Sequence, residues 1–416
     1  MNILWIVNVV FPEAEQLLSG KTLPNYSGGW MTSLAGLISS VPDNKLSVVS
    51  VSKSVQELTV LNGSLITYYL IPYGKGNIKY NSEYEAYFRI IKDKVNPDII
   101  HIHGTEFTQG LSYVKACGNE NVVVSLQGVK SGIAKYYLGG LSLKERLLNY
   151  TLRDILKGGI RTEQRQYEKT GLFEQELIRS VHHIIGRTEW DYAQVVSINA
   201  NATYHFCNEI LRQEFYSGSI WNYYNCNKHT IFLSQAWYPL KGAHQVFKAL
   251  PFILKSYPDT CVRVAGTDIT SFKGIDKLKH ETTYGSYLRN LIEKLGIRNK
   301  VKFLGLLNAT EMKNEYLSCN VFVCPSSIEN SPNSLGEAQL LGVPVVASYV
   351  GGTPDFMRGN EEKLYRFEET AMLAEKICRV FADKDSQRDM KPIASERHSP
   401  SINGERMLQI YKEISR

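Results

Sequence analysis

Two carboxylates, Glu329 and Glu337, stand eight residues apart in the stretch Ser326-Ser327-Ile328-Glu329-Asn330-Ser331-Pro332-Asn333-Ser334-Leu335-Gly336-Glu337-Ala338. A Pro/Asn/Ser turn separates them, and a helical run opens behind the turn. A helix N-terminus presents backbone N–H groups without intrahelical acceptors and the positive end of a dipole, which together suit a phosphate. Glu337, read into the first turn of that helix, has the chemistry to hold a ribose diol. Glu329 has the chemistry to accept a hydrogen bond from a sugar hydroxyl. The same residues have a plainer reading, because Ser334 and Glu337 also match S-x-x-E, a capping box.

Other residues carry chemistry of their own. Lys241-Gly242 follows an apolar run and opens a helical pattern, where a cation is electrostatically disfavoured unless an anion joins it. Gly28 and Gly29 follow the first apolar run, and paired glycines let a backbone pass close to a ligand; an ordinary strand-to-helix turn would look the same. His101 and His103 alternate on one strand and so share a face, yet no third ligand stands near them and a metal site is not expected. Arg187 closes a short apolar run, placed to meet an anion. The Thr188-Glu189-Trp190-Asp191 sequence behind it equally reads as an N-cap with acids in the first turn. Asp383-Lys384-Asp385 has the D-x-D spacing of a metal motif but sits at the end of an amphipathic helix and reads as surface charge. Neither G-x-G-x-x-G nor G-x-x-x-x-G-K-[ST] occurs.

The elements that must position these residues alternate as apolar runs and helical patterns, the rhythm of βα units and a parallel sheet. In the first half strands are expected at 3–10, 46–51, 66–71, 98–103, 122–127, 183–186 and 203–206. Helices are expected at 29–38, 82–95, 141–156 and 191–197. The pattern restarts with strands at 230–233, 261–265, 301–304, 321–324 and 345–347, and helices at 242–256, 286–295, 309–317 and 369–382. Residues 213–228 break the rhythm. The expected organisation is an N-terminal α/β domain at 1–215, a linker at 216–228, a C-terminal α/β domain at 229–400, and a last helix in 401–416 that could cross back to the first domain.

The Glu329–Glu337 stretch resembles the E-x7-E signature of the retaining, nucleotide-sugar-dependent glycosyltransferases of family 4, and the continuation Gly342-Val343-Pro344-Val345-Val346-Ala347-Ser348, then Gly351-Gly352, is similar to that family as well. The match is specific in the C-terminal half and looser in the N-terminal half. The resemblance implies the GT-B fold, two Rossmann-like doubly wound α/β domains facing a cleft. It also implies transfer of a sugar from a nucleoside-diphosphate sugar, with a UDP-sugar the expected donor and no cofactor. By the same resemblance Lys241 binds the diphosphate and, with Glu329, is catalytic. Gly28, Gly29, Arg187, Gly266, Leu304, Gly305, Asn333, Ser334, Leu335 and Glu337 are donor-binding, and His103, Glu106 and Gln127 lie on the acceptor side. Two positions depart from the family: Gln127 stands where many members carry histidine, and Gln235 stands near an expected arginine. Glutamine keeps hydrogen bonding but takes no proton at neutral pH, which leaves the leaving diphosphate to activate the acceptor.

The 416 residues exceed one ordinary core and suggest two domains. Seven cysteines, odd in number and without a C-x2-C pair, point to reduced thiols and neither a disulfide framework nor a zinc site. The apolar start reads as a strand, not a signal peptide, and no run of 18 apolar residues spans a membrane. A cytoplasmic location is expected, at the inner face of the membrane if residues 130–169 touch it. That segment holds nine Lys/Arg against four Asp/Glu, and its leucines recur at helical spacing, which suits an anionic bilayer or packing on its own domain. The expected activity is glycosyl transfer to a carbohydrate or lipid-linked acceptor in surface polysaccharide synthesis. The alternatives are a GT-B phosphorylase or sugar-phosphate synthase, and a non-catalytic nucleotide-sugar binder. No nucleic-acid module is recognisable.

Overall fold

In a computed structural model of the chain, residues 1–20, 29–74, 80–384 and 390–415 are described. Two compact units carry one sheet each. The first unit comprises Met1–Gly132, Gln166–Arg212 and Arg397–Arg416; the second comprises Ile133–Arg165 and Gln213–Glu396.

The first sheet has eight strands: β1 (Asn2–Ile6), β2 (Lys45–Ser52), β3 (Thr59–Asn62), β4 (Ile66–Pro72), β5 (Ile99–His103), β6 (Val122–Ser125), β7 (His183–Gly186) and β8 (Thr203–Phe206). Their order is β3-β4-β2-β1-β5-β6-β7-β8, parallel except for β3, which runs antiparallel to β4. Parallel strands covered on both faces need near-continuous apolar runs. Accordingly β5 and β6 are buried throughout, and Leu4, Ile6, Ile100, Ile102, Val122 and Val124 form the centre of this core.

The second sheet is all parallel: β9 (Thr230–Leu233), β10 (Cys261–Val264), β11 (Val301–Phe303), β12 (Val321–Cys324), β13 (Val345–Ser348) and β14 (Leu364–Tyr365). Its order β11-β10-β9-β12-β13-β14 is the doubly wound pattern 3-2-1-4-5-6. Its core gathers Ile231, Leu233, Val246, Phe247, Val262, Val264, Val321 and Val346.

Several expectations change. The first strand stops at Ile6 and not at residue 10. The short strands β3 and β14 lack the apolar length that would have marked them. The single helix expected at 141–156 is two, Leu143–Leu148 and Leu152–Lys157, each started by its own cap from Ser142 and Thr151. These two helices belong to the second unit, although a cut near residue 215 would place them in the first. A long helix, Ile160–Ser180, follows them, and its residues through Arg165 group with the second unit. The last helix, Pro400–Ile414, packs in the first unit, where Trp5 Nε1 donates to Tyr411 Oη at 2.9 Å.

Candidate active site

In an open doubly wound sheet, ligands bind beyond the carboxyl ends of the strands where the order reverses. In the second unit that point lies between β9 and β12. The loop after β9 ends in a 3-10 turn, Pro239–Lys241, and Gly242 starts the next helix at φ +69°. A Cβ on Gly242 would sit 1.7 Å from the Pro325 carbonyl oxygen, so only glycine lets this loop lie against the end of β12. The loop after β12 returns the contact: Ser327 N donates to Leu240 O at 2.7 Å.

This close approach sets Lys241 on Glu329. Lys241 Nζ donates to Glu329 Oε1 at 2.6 Å, and Ser326 Oγ donates to the same oxygen at 2.6 Å. The two charged side chains are 16% and 12% exposed. Burial works against the lysine's charge, but the Glu329 carboxylate more than offsets it and holds the ammonium above its ordinary range. The backbone of Glu329 is clamped from the other side: Gly352 N donates to Glu329 O at 3.0 Å, and a Cβ on Gly351 (φ +50°) would lie 2.0 Å from that oxygen. One anion that joins Lys241 is therefore internal, and Lys241 closes a 3-10 turn and does not begin an α-helix. Two of its three N–H donors remain after the bond to Glu329.

The helix after Glu329 runs Asn333–Leu340, with Pro332 at its N-cap and no side-chain cap. The capping-box reading of Ser334 and Glu337 is thereby overturned, as is the placement of Glu337 in the first turn: it is the fifth helical residue, and it is buried. The N–H of Leu335 already turns back to Pro332 O at 2.9 Å. Asn333 and Ser334 supply the outermost N–H groups, and the Asn333 Oδ1 atom is buried without a hydrogen-bond partner. Ser334 O is held by the Tyr316 hydroxyl at 2.9 Å.

Beyond β10 and β11, Gly266 (φ +103°) and Gly305 (φ +80°) pair with each other, each N–H donating to the other's carbonyl at 2.7 and 3.2 Å. Leu304 N donates to Val264 O. Those three N–H groups are occupied by bonds to neighbouring backbone carbonyls. Exposed apolar surface stands beside them instead: Leu306, and Trp237, whose indole lies against Gly266. Trp237 is an addition that spacing did not single out, although an aromatic in a strand-end loop was the available signal.

The first unit has its own reversal between β1 and β5. There Gly104 (φ +91°) is surrounded by three side chains: a Cβ on it would meet Glu106 Oε2 at 2.2 Å, Asn8 Nδ2 at 2.6 Å and Gln127 Cγ at 3.1 Å. Asn8 Nδ2 donates to Glu106 Oε2 at 3.0 Å, and Lys130 Nζ donates to the Glu106 carbonyl at 2.5 Å. Burial, with a contribution from the Glu174 carboxylate, raises the Glu106 carboxyl to about 7. The buried Nε2 of Gln127 has no hydrogen-bond partner. Glu106 and Gln127 are thus brought together.

His103 is buried, stacked on His101 with ring centroids 3.7 Å apart and packed on Trp5 at 4.2 Å. His101 in turn bonds Tyr411 Oη and Ser125 Oγ, each at 2.5 Å. Burial drives both imidazoles to lower pKa, His101 to about 3, so they are neutral packing groups. Arg187 is buried and paired with Glu209 at 2.6 Å, with a further bond to the Leu126 carbonyl. Thr188 is the N-cap of helix Glu189–Ile198 in a capping box with Asp191, the plainer of its two readings. Gly29 begins the helix Gly29–Ser39; Gly28 and Asp385 lie outside the described residues. Among the described residues no group of three or more His, Cys, Asp or Glu is placed to hold a metal.

Residues 225–397 match the family model of the glycosyl transferases group 1. The chain is similar to the D-inositol 3-phosphate glycosyltransferase of Corynebacterium urealyticum, 27% identical over 179 residues, 42% of this chain and 41% of the relative. The matched part therefore spans less than half the length of that relative. Among solved structures, sucrose-phosphate synthase from Thermosynechococcus elongatus aligns with a TM-score of 0.69 at 15% identity, covering 99% of this chain and 98% of that one. Anabaena HepE in complex with UDP and glucose aligns with a TM-score of 0.66 at 15% identity, over 99% of both chains. At such identity the likeness shows the fold, GT-B, with its two parallel-sheet α/β units.

Proposed function

We propose that the chain is a retaining glycosyltransferase of the family-4 type that moves a sugar from a nucleoside-diphosphate sugar to a carbohydrate or lipid-linked saccharide acceptor in surface polysaccharide synthesis. The observation that carries this reading is the Lys241–Glu329 pair, set at the strand-order reversal of the sheet inside the stretch that matches the glycosyl transferases group 1. The spare donors of Lys241 meet the diphosphate together with the N–H groups of Asn333 and Ser334. Glu329 keeps its Oε1 on Lys241 and Ser326 and offers Oε2 to a hydroxyl of the transferred sugar. Glu337 takes the ribose and Trp237 the face of a base or sugar. A UDP-sugar is the preferred donor, in keeping with the UDP complex of the similar HepE structure.

The bond from the anomeric carbon to the diphosphate breaks while the acceptor oxygen adds on the same face, and the acceptor proton passes to the departing diphosphate oxygen. Fixed charges aimed at that oxygen lower the barrier. Glu106 and Gln127 are assigned to the acceptor.

Titration calorimetry with UDP and UDP-sugars, alongside turnover, tests the assignment. Lys241→Ala is expected to weaken donor binding about 10- to 100-fold, the loss of one charge-assisted contact of about 1.5–3 kcal/mol. Glu329→Gln, which retains a hydrogen bond to Ser326, is expected to leave donor affinity within a few-fold and depress turnover. Wild-type behaviour in both variants would sink the assignment.

A further inference from the structure

Amphipathic helices on a globular unit bury their leucines and expose their acids. Helices Leu143–Leu148 and Leu152–Lys157 do the opposite. Leu143, Leu147, Leu148, Leu152, Ile155 and Leu156 are all exposed, Leu148 by 72% and Leu156 by 82%, and the first of the two helices has no buried residue. What holds them to the second unit is polar. Asp154 is buried and accepts from the backbone N–H of Thr283 at 2.6 Å and from its hydroxyl. Glu145 accepts from the Tyr287 hydroxyl at 3.1 Å, Asn290 Nδ2 donates to Asn149 Oδ1 at 2.7 Å, and Thr151 Oγ1 donates to the Glu281 carbonyl at 2.8 Å. Polar groups serve as the anchor and the apolar groups are left facing outward.

A third helix, Gly274–His280, lies against Leu152–Lys157 and continues the same surface. It has no buried residue and exposes Ile275 and Leu278. The exposed charges that share this surface are predominantly basic: Lys144, Lys157, Lys273 and Lys279 are exposed around it, whereas Asp154 and Glu281 are turned inward and Glu145 is partly buried against Tyr287 and Lys248. Asp276 is the exposed acid on the third helix. A contiguous apolar surface of this kind marks an interaction site.

We propose that these three helices dock the second unit on an anionic lipid bilayer, the leucines entering the headgroup boundary and the lysines meeting lipid phosphates. Charge complementarity selects this occupant. A second copy seated on the same face would set lysines against lysines, whereas an anionic surface attracts each of them and gains from the apolar insertion as well. The proposal is independent of the Lys241–Glu329 assignment.

Flotation of the full chain with vesicles of phosphatidylglycerol and phosphatidylcholine, against phosphatidylcholine alone, tests it. Binding is expected at least tenfold stronger to the anionic vesicles, weakening as salt rises. The triple variant Leu148→Ser, Ile155→Ser, Leu156→Ser should lose at least tenfold in partitioning. So should Lys144→Glu with Lys157→Glu, which alters exposed charges and leaves the polar anchors in place. UDP binding by calorimetry, measured on the same samples, reports the donor site separately and should not change. Equal binding to both vesicle types would overturn the proposal, and so would anionic binding unaffected by either variant. So would a wild-type dimer in sedimentation velocity, without vesicle binding, that the leucine substitutions dissociate.

Discussion

At the scale of single residues, the two strand-order reversals use carboxylates in opposite ways. Glu329 is ion-paired with a lysine at 2.6 Å, whereas Glu106, bonded through its side chain to the neutral Asn8, is driven by burial to a pKa of about 7. The sign of the stability effect follows. Between its ordinary value of 4.5 and about 7 the folded protein keeps the Glu106 proton that the unfolded chain releases. Stability must then fall as pH rises through that window and level off above it, the reverse of a salt-bridged carboxylate. The contribution is on the order of 3–4 kcal/mol, from a window of about 2.5 pH units at about 1.4 kcal/mol each. Glu106→Gln keeps an acceptor for Asn8 and removes the titration. Urea unfolding at pH 5 and pH 8 is expected to show the wild type losing more stability than the variant between those values; identical slopes would refute the buried-acid account. Spacing along one loop was enough to single out Glu329, and the structure joins that residue to Lys241. The burial of His101 and His103 was not legible, since period-two alternation says which residues share a face but not whether that face meets ligand or core.

At the scale of elements, local signals were read well where apolar runs were long. They misled where a segment is anchored by polar groups. Residues 141–156 carry leucines at helical spacing, and periodicity joins them into one helix; the caps at Ser142 and Thr151 divide it, and the anchors Asp154, Asn149 and Thr151 determine which way each half faces. Nothing in the linear pattern announces that Thr283, 129 residues away, is the partner of Asp154. Because this carboxylate satisfies a buried N–H and a hydroxyl and takes Arg153 at 2.8 Å, Asp154→Ala should cost about 3 kcal/mol of local stability. Asp154→Asn, which keeps an acceptor, should cost less. Hydrogen exchange is the suitable readout: amides of 143–157 and of the first turn of Thr283–Leu295 should lose protection in the alanine variant, with β1, β5 and β6 unchanged. Protection retained in 143–157 would show that the segment is held by something other than its polar anchors.

At the scale of the whole molecule, each of the two doubly wound sheets sets a cluster of polar side chains at its reversal of strand order, and the alternation of apolar runs with helical patterns was enough to foresee two such sheets. What the linear order conceals is that neither unit is one continuous stretch of chain. The first unit is closed by residues from 397 onward, and the link is specific. Tyr411 Oη accepts from Trp5 Nε1 at 2.9 Å and bonds His101 Nδ1 at 2.5 Å, joining the last helix to β1 and β5. All three side chains are buried, so Tyr411→Phe leaves an indole N–H and an imidazole nitrogen unsatisfied while changing little volume. Each orphaned group costs about 1–3 kcal/mol. The expected calorimetric result is a downward shift in the unfolding of the first unit alone, with the transition stabilised by UDP left in place, because the Lys241–Glu329 pair belongs to the second unit. Deletion of 397–416 should exaggerate the same selective loss. If both transitions fell together in the Tyr411 variant, the last helix would be supporting the second unit as well, and its assignment to the first would fail.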